Sequence, residues 1–499
     1  MSQALDPRPP VVTASADAGR PSRRNLTLLA VVAAGYAAAQ LALGMHRVFL
    51  GWDEILYVTQ FSREVPPGFM DAPRAWGVPL IVAPVAALDA STEVIRGYVI
   101  ALSSIGVFYA FRPWLRLRDT SAVPLAALLL CTLWVSVFYG NAAMPNMFTA
   151  LCTVAAVALF VRAGLVAGAP EAGPAIAGLV AAFGVMSVVR PVDTVWIALP
   201  LVVTAFLSRR RRLQRLGAIL AGSAIGWVPW IIEAHLRFGG LLPRVAQIAR
   251  WNGDGLHVQV LRHLQSFGSG TLLCTSADST CGRVTVGAGL VWFMLTVLAV
   301  TGLLALRGSA GRRPALIAVM VAAANAVPYF FFSQLANPRF LLPTYALLAL
   351  PAGEGLRLLS RHLRPVGPAV AAGIVVLLVA AQLTMAHGMA REMREARREG
   401  IQQAHAISRL PVRPPCVIYG TNAAQIAYLT QCRYWRRYVH GVPRRAPARE
   451  IEPIFDRMRA RGLQVVVVTR SKRSRDFPAG WRHMRLRPDR GWHAHLPPP

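Results

Sequence analysis

Long apolar runs, separated by short arginine-bearing segments, dominate the chain. An α-helix needs roughly 20 apolar residues to cross a bilayer core of about 30 Å. Runs that meet or approach this lie at 26–45, 95–111, 122–139, 146–163, 216–233, 286–306, 315–333, 340–356 and 367–386. A further stretch, 174–207, is interrupted at Arg190-Pro191 and Asp193, which predicts two helices meeting near one membrane face. Eleven spans result. Short cytoplasmic loops are enriched in Lys and Arg. With eleven spans, the clusters Arg20/Arg23/Arg24, Arg112/Arg116/Arg118, Arg209 to Arg212 with Arg215, Arg307/Arg312/Arg313 and Arg357/Arg361/Arg364 all fall on one side. The N-terminus is then cytoplasmic and the C-terminus outside, in a multi-pass cell (plasma or inner) membrane protein.

The polar remainder divides accordingly. Residues 1–25, rich in Pro, Ser and Ala, read as a disordered cytoplasmic tail. Residues 26–386 form the membrane domain, with outer loops at 46–94 and 234–285, and 387–499 form a small outer domain. In that domain Val417–Tyr419 and Val465–Thr469 have strand character, and Asn422–Thr430 and Glu450–Arg461 have helix character. The expected fold is an all-α polytopic membrane protein with a small C-terminal α/β extracytoplasmic domain.

Composition agrees. Hydrophobic residues make up 55% of the 499 positions and charged residues 15%, where a soluble domain carries roughly 25% charged residues. An ordinary soluble protein is excluded. The net charge of +30 does not imply nucleic-acid binding: every basic residue except Lys472 is arginine, as in a GC-rich genome, and half of the excess lies in 387–499, where it suits anionic lipid headgroups. Cys131 and Cys152 lie in apolar runs and read as small buried hydrophobes. Cys274 with Cys281, and Cys416 with Cys432, lie in polar segments and are disulfide candidates if those segments face an oxidising compartment. No cysteine pair has zinc-ligand spacing. His235, His257 and His263 match no ligand motif and are expected in loops or at the surface.

Candidate chemistry concentrates in the first outer loop. It opens Phe49-Leu50-Gly51-Trp52-Asp53-Glu54-Ile55-Leu56-Tyr57. Two adjacent carboxylates at the end of a membrane helix need a partner, a cation or a catalytic role; a solvated loop within an aromatic belt is the plain alternative. A proline-rich turn, Pro66 to Pro73, then leads through Arg74 into an apolar segment too short to span, which would bring Asp71 and Arg74 back toward Asp53. Farther on stand Gly184 to Asp193, an apolar run ending in Arg190-Pro191, then Arg237-Phe238-Gly239-Gly240-Leu241-Leu242-Pro243, and then Asn337-Pro338-Arg339-Phe340-Leu341-Leu342-Pro343.

In their order, these motifs resemble the GT-C superfamily of membrane glycosyltransferases, and most closely its protein O-mannosyltransferase and aminoarabinose-transferase-like branch. The resemblance implies transfer of a hexosyl or pentosyl group from a polyprenyl-phosphate donor to a hydroxyl of a lipid, cell-envelope glycan or protein. Transfer would take place on the outer face with inversion. It further implies Asp53 as general base, and arginines to receive the developing phosphate charge. Arg339, Arg190 and Arg74 are the candidates, and snorkelling or an Arg190–Asp193 ion pair is the alternative. Glu54, Tyr57 and Asp71 complete the substrate-binding set. Glu54 or Asp71 could instead hold a divalent cation, Mg²⁺ or Mn²⁺, through oxygen ligands. A transporter or flippase, or a polymerase or ligase acting on lipid-linked sugars, is the rival class.

Overall fold

The computed structural model describes residues 21–165, 169–208, 210–270, 272, 274–275, 286–363, 365–439, 442–443, 448–470, 480–486 and 491–498. Its membrane part is helical throughout: α1 Arg23–Ala42, α2 Trp52–Val58, α3 Gly77–Ala86, α4 Thr92–Leu117, α5 Ala122–Thr132, α6 Trp134–Tyr139, α7 Pro145–Leu165, α8 Ala169–Val189 and α9 Pro191–Leu207. These are followed by α10 Arg212–Phe238, α11 Leu241–Asn252, α12 Val260–Ser269, α13 Val286–Ala305, α14 Arg312–Phe331, α15 Leu342–His362 and α16 Gly367–Ile407. Helix therefore occupies each of the eleven apolar runs. Among the described residues, seven helices are long and apolar enough to cross a membrane by length and composition: α1, α4, α7, α8, α10, α14 and α16.

Two interruptions have local causes. Arg190 is non-helical because the residue before a proline is pushed toward extended backbone, and Pro191 then opens α9. The run 122–139, expected as one helix, breaks at Leu133, whose ψ is 130°. The Trp134 N–H freed by the break donates to Oε1 of buried Gln382 on α16 at 3.0 Å, so the broken backbone stays satisfied inside the bundle. Helices also meet at glycines. A Cβ on Gly302 of α13 would lie 1.8 Å from the Pro351 carbonyl oxygen of α15, and one on Gly226 of α10 would lie 2.2 Å from the Ser187 carbonyl carbon of α8, so a larger residue would part these backbones.

The expected boundary at 387 falls inside α16, a single helix of 41 residues and so about 60 Å long at 1.5 Å per residue. It leads from the membrane bundle into the C-terminal domain. Short pairs lie outside the domain's sheet: β1 Cys274–Thr275 runs antiparallel to β2 Leu335–Ala336. The sheet is built from β3 Cys416–Gly420, β4 Arg433–Tyr434, β7 Gln464–Thr469, β8 Arg482–Arg485 and β9 His493–Leu496, in the order β4-β3-β7-β9-β8; β5 Tyr438–Val439 and β6 Val442–Pro443 form a separate pair. β3 pairs in parallel with β4 and β7, while β9 is antiparallel to β7 and β8. The run Val465–Val468 is buried on both faces, as a central parallel strand should be. Ile407 of α16 and Ile426 of α17 (Ala423–Leu429) cover one face, and Ile451 and Phe455 of α18 (Ala448–Ala460) cover the other.

The domain rests on the first long loop: Phe49 meets Tyr428 with ring centroids 6.0 Å apart, Trp52 meets Tyr434 at 6.3 Å, and Gln431 donates to Glu64 at 2.7 Å. Cys416 and Cys432 are joined in a disulfide that ties the first residue of β3 to the residue before β4. Cys274 is disulfide-bonded, and Cys281 lies outside the described residues. The Cys416–Cys432 bond closes a loop of 16 residues, for which chain-entropy estimates give about 3 kcal/mol. Replacing both cysteines with serine should destabilise the C-terminal domain by about that amount and speed limited proteolysis within 408–499, compared with oxidised wild type. Equal cleavage rates would show that the bond adds nothing.

Candidate functional site

The site is built around the start of α2. Gly51 precedes the helix, and Glu54, its third residue, reaches back so that Oε2 accepts the Gly51 N–H at 2.7 Å. This contact, the half of a capping box that a glycine N-cap permits, satisfies a backbone donor that the helix cannot. The same Oε2 accepts from Arg96 Nη2 at 2.8 Å, and Oε1 accepts the Ala143 N–H at 2.9 Å. Arg96, from α4, also donates to the carbonyls of Val48, Phe49 and Asn141. Glu54 and Arg96 are both buried. Together they stitch the loop before α2 to α4 and to the segment before α7. Both Glu54 oxygens are thus committed to structure.

Asp53, next along the same turn, points the other way. Its Oδ1 accepts from Arg74 Nη2, and its Oδ2 accepts from Arg339 Nη2 at 3.3 Å. Arg74 also donates to Asp71 Oδ1 and lies over the Trp52 ring, 4.7 Å from its centroid. Burial alone would raise the Asp53 carboxyl. The charges and hydrogen bonds of Arg74 and Arg339 outweigh that effect and hold Asp53 below the ordinary aspartate range. Its side chain is 24% exposed, against 8% for Glu54 and 1% for Asp71, so Asp53 is the most accessible carboxylate of the three. Tyr57, one turn later, is buried where the charges of Arg74, Asp53, Arg190 and Arg339 all act on it, and burial raises its phenol.

Each guanidinium is held from behind. The turn carrying Asp71 and Arg74 is clamped by Arg244 of α11, which is 1% exposed and donates to the carbonyls of Ala72, Arg74 and Trp230 at 3.1, 2.9 and 2.8 Å. Arg244 pairs with Glu233 of α10 at 2.9 Å, and Glu233 also accepts from Trp76 and Arg237. Arg339 sits in a short 3₁₀ turn, Pro338–Leu341, whose Asn337 side chain accepts the Arg339 N–H at 3.1 Å. A cavity of about 180 Å³ opens beside Asp53, with Arg339, Tyr139, Phe138, Met393 and Arg397 among its walls.

The structure brings Asp53, Asp71, Arg74 and Arg339 into one connected group. Arg190 stands apart: it pairs with Asp193 at 2.8 Å and donates to the Tyr329 hydroxyl at 2.6 Å, and that hydroxyl donates to Asp193 at 2.6 Å. Its guanidinium packs over Phe340, the neighbour of Arg339. The Arg190–Asp193 ion pair given as the alternative to a phosphate contact is thus present. The donor set does not fit a divalent cation: Glu54 is spent on Arg96, and a metal between Asp53 and Asp71 would lie against Arg74 and Arg339. Among the described residues no group of three His, Cys, Asp or Glu could hold a metal ion. His263, expected in a loop or at the surface, is fully buried, with Nε2 3.3 Å from the Tyr329 carbonyl oxygen; burial lowers it to about 4. Sequence reasoning missed Arg96, Glu233, Arg244 and Arg397. Arg96 carried a signal, being a lone charge inside an otherwise apolar run.

No protein-family model matches the chain, and no curated protein matches its sequence. Solved structures do match. The structure of ArnT from Cupriavidus metallidurans bound to undecaprenyl phosphate superposes with a TM-score of 0.63 at 14% identity, over 96% of this chain and 100% of that one. Apo ArnT from the same organism gives 0.62 at 15% identity, over 93% and 98%. The apo oligosaccharyltransferase of Archaeoglobus fulgidus gives 0.52 at 12%, over 89% and 69%. At such identities the likeness is one of fold: the chain is a polytopic membrane protein with an ArnT-like fold.

Proposed function

We propose that the protein is an integral-membrane glycosyltransferase that takes its sugar from a polyprenyl-phosphate donor and delivers it to an acceptor hydroxyl on the extracytoplasmic face. The carrying observation is Asp53, a reachable carboxylate held ionised between two arginines at the edge of a cavity. The shared fold with ArnT, solved with undecaprenyl phosphate, supports a lipid-phosphate donor. The acceptor is a lipid, an envelope glycan or a protein, and the sugar a hexose or pentose.

In the reaction, the bond between the anomeric carbon and the phosphate oxygen breaks, and its electron pair leaves with the phosphate. The acceptor oxygen bonds to the opposite face of the same carbon, inverting it, while Asp53 takes the hydroxyl proton. The products are the glycosylated acceptor, polyprenyl phosphate and a protonated Asp53 that returns its proton to water. A carboxylate of lowered proton affinity is a weak base, so transfer to it becomes favourable only as the acceptor oxygen gains positive character late in the step. Arg339, which already faces the cavity, is placed to meet the growing phosphate charge, and its planar fork matches phosphate oxygens. Arg74 keeps Asp53 oriented, and Asp71 keeps Arg74 oriented.

Two measurements test this. With purified protein in nanodiscs, a panel of radiolabelled polyprenyl-phosphate sugars and envelope lipid extract, Asp53→Asn should cut transfer by roughly 10²- to 10⁴-fold while donor binding and thermal stability hold. Undiminished transfer would place the base elsewhere. The second concerns pH. Because Asp53 is depressed, its ionised form persists as pH falls through the ordinary aspartate value of about 3.9. The profile of kcat/KM should therefore be free of an acid limb between about pH 5 and 7, whereas a limb near pH 6 would point to another group.

A further inference from the structure

Among the described arginines that line the cavity, Arg96, Arg339 and Arg397, the ion pairs leave one over. Glu54 is matched by Arg96, Asp71 by Arg74, and Asp53 is shared by Arg74 and Arg339. Arg397 of α16 lines the same cavity, its Nε is buried without a hydrogen-bond partner, and it belongs to none of the ion pairs among the described residues. Three carboxylates thus face four guanidiniums. A partly buried guanidinium with no carboxylate of its own matches an anionic group on a ligand.

Arg397 is held in place by its surroundings. One turn earlier on α16, Arg394 donates to the carbonyls of Leu43 and Gly44 at 3.1 and 3.2 Å, fixing this level of the helix against the end of α1. Gly51 then makes room for the guanidinium. Its φ of −78° suits any residue, yet a Cβ there would lie 3.1 Å from Arg397 Nη2 and 3.2 Å from Glu54 Oε2. Apolar walls at Phe138, Met393 and Leu272 complete the cavity, which favours an anion attached to a hydrocarbon over a fully hydrated one.

We propose that Arg397, acting with Arg339, binds the phosphate of the lipid carrier on the cavity side of Asp53. This rests on the transferase reading above and adds to it a residue from the helix that runs on into the C-terminal domain, where Gln403 of α16 meets Asn422 at 3.1 Å. Phosphate binding and the seating of that domain are thereby linked through one rigid element.

The test uses the full-length protein in nanodiscs and compares equilibrium binding of undecaprenyl phosphate with that of undecaprenol, which has the same chain and no phosphate. Wild type should favour the phosphate. Arg397→Gln should shrink that preference roughly tenfold or more, Arg397→Lys should recover part of it because the charge remains without the fork, and Arg398→Gln, at the exposed neighbouring position, should leave it unchanged. Thermal melts without lipid confirm that the variants are folded, and Arg397→Lys serves if Arg397→Gln is not. A preference undiminished in Arg397→Gln overturns the assignment of Arg397 alone. No preference in wild type overturns both this site and the lipid-phosphate donor.

Discussion

Asp53 is held between two guanidiniums that reach it from distant parts of the chain, Arg74 from the first long loop and Arg339 from the turn before α15. Charges at this depth are costly when unpaired, so this carboxylate constrains where three segments lie. α2 must present its first turn to the cavity, the proline-rich turn must fold back over it, and the Asn337–Leu341 turn must close from the other side. Moving any one of the three strands a charge. The constraint acts on geometry more than on stability, because the pairing recovers little beyond the cost of desolvating its members.

That geometry is kept by a second set of ion pairs, buried behind Asp53. Glu54 and Arg96 lock the base of α2 to α4, and Glu233 and Arg244 lock the Asp71–Arg74 turn to α10 and α11. Arg96 and Arg244 bind backbone carbonyls as well as carboxylates, so each satisfies groups that irregular backbone near a membrane would otherwise leave unpaired. The adjacent residues Asp53 and Glu54 divide the work. On one helical turn, Asp53 stays reachable from the cavity while Glu54 is spent on Arg96 and two backbone N–H groups.

Much of this was legible in the sequence. The apolar runs, the break at Arg190-Pro191, and the strands and helices of the C-terminal domain followed from periodicity and proline chemistry. The gathering of Asp53, Asp71, Arg74 and Arg339 followed from the motifs and the resemblance they carry. What stayed hidden has a common cause. Arg96 looks like a charge snorkelling from an apolar helix, and Arg397 sits in a run of alternating charges that reads as a solvated helix face. The partners of Arg96 are 42 to 48 positions away, and Arg397 comes against Gly51 only when α16 packs beside α1. No local pattern encodes contacts at such separations. Arg190 is the opposite case, because its ion-pair partner lies only three residues away and was legible from the spacing.

The shared arginine gives the proposed reaction an internal coupling. Arg339 now donates to Asp53 and lowers its proton affinity, while facing the cavity in which the donor phosphate would lie. A phosphate bound there competes with Asp53 for the same guanidinium. As the donor settles and its charge grows during bond cleavage, the hold of Arg339 on Asp53 weakens and the carboxylate becomes the stronger base when a proton must be taken. On the proposed reading, the free protein holds Asp53 below the ordinary aspartate range, and donor binding would make it the stronger base. By the same logic Arg74, which faces Asp71 rather than the cavity, preserves the orientation of Asp53 throughout. In the proposed reaction the two arginines on one carboxylate are thus unequal: one would fix the base in place, and the other would make its strength depend on the donor.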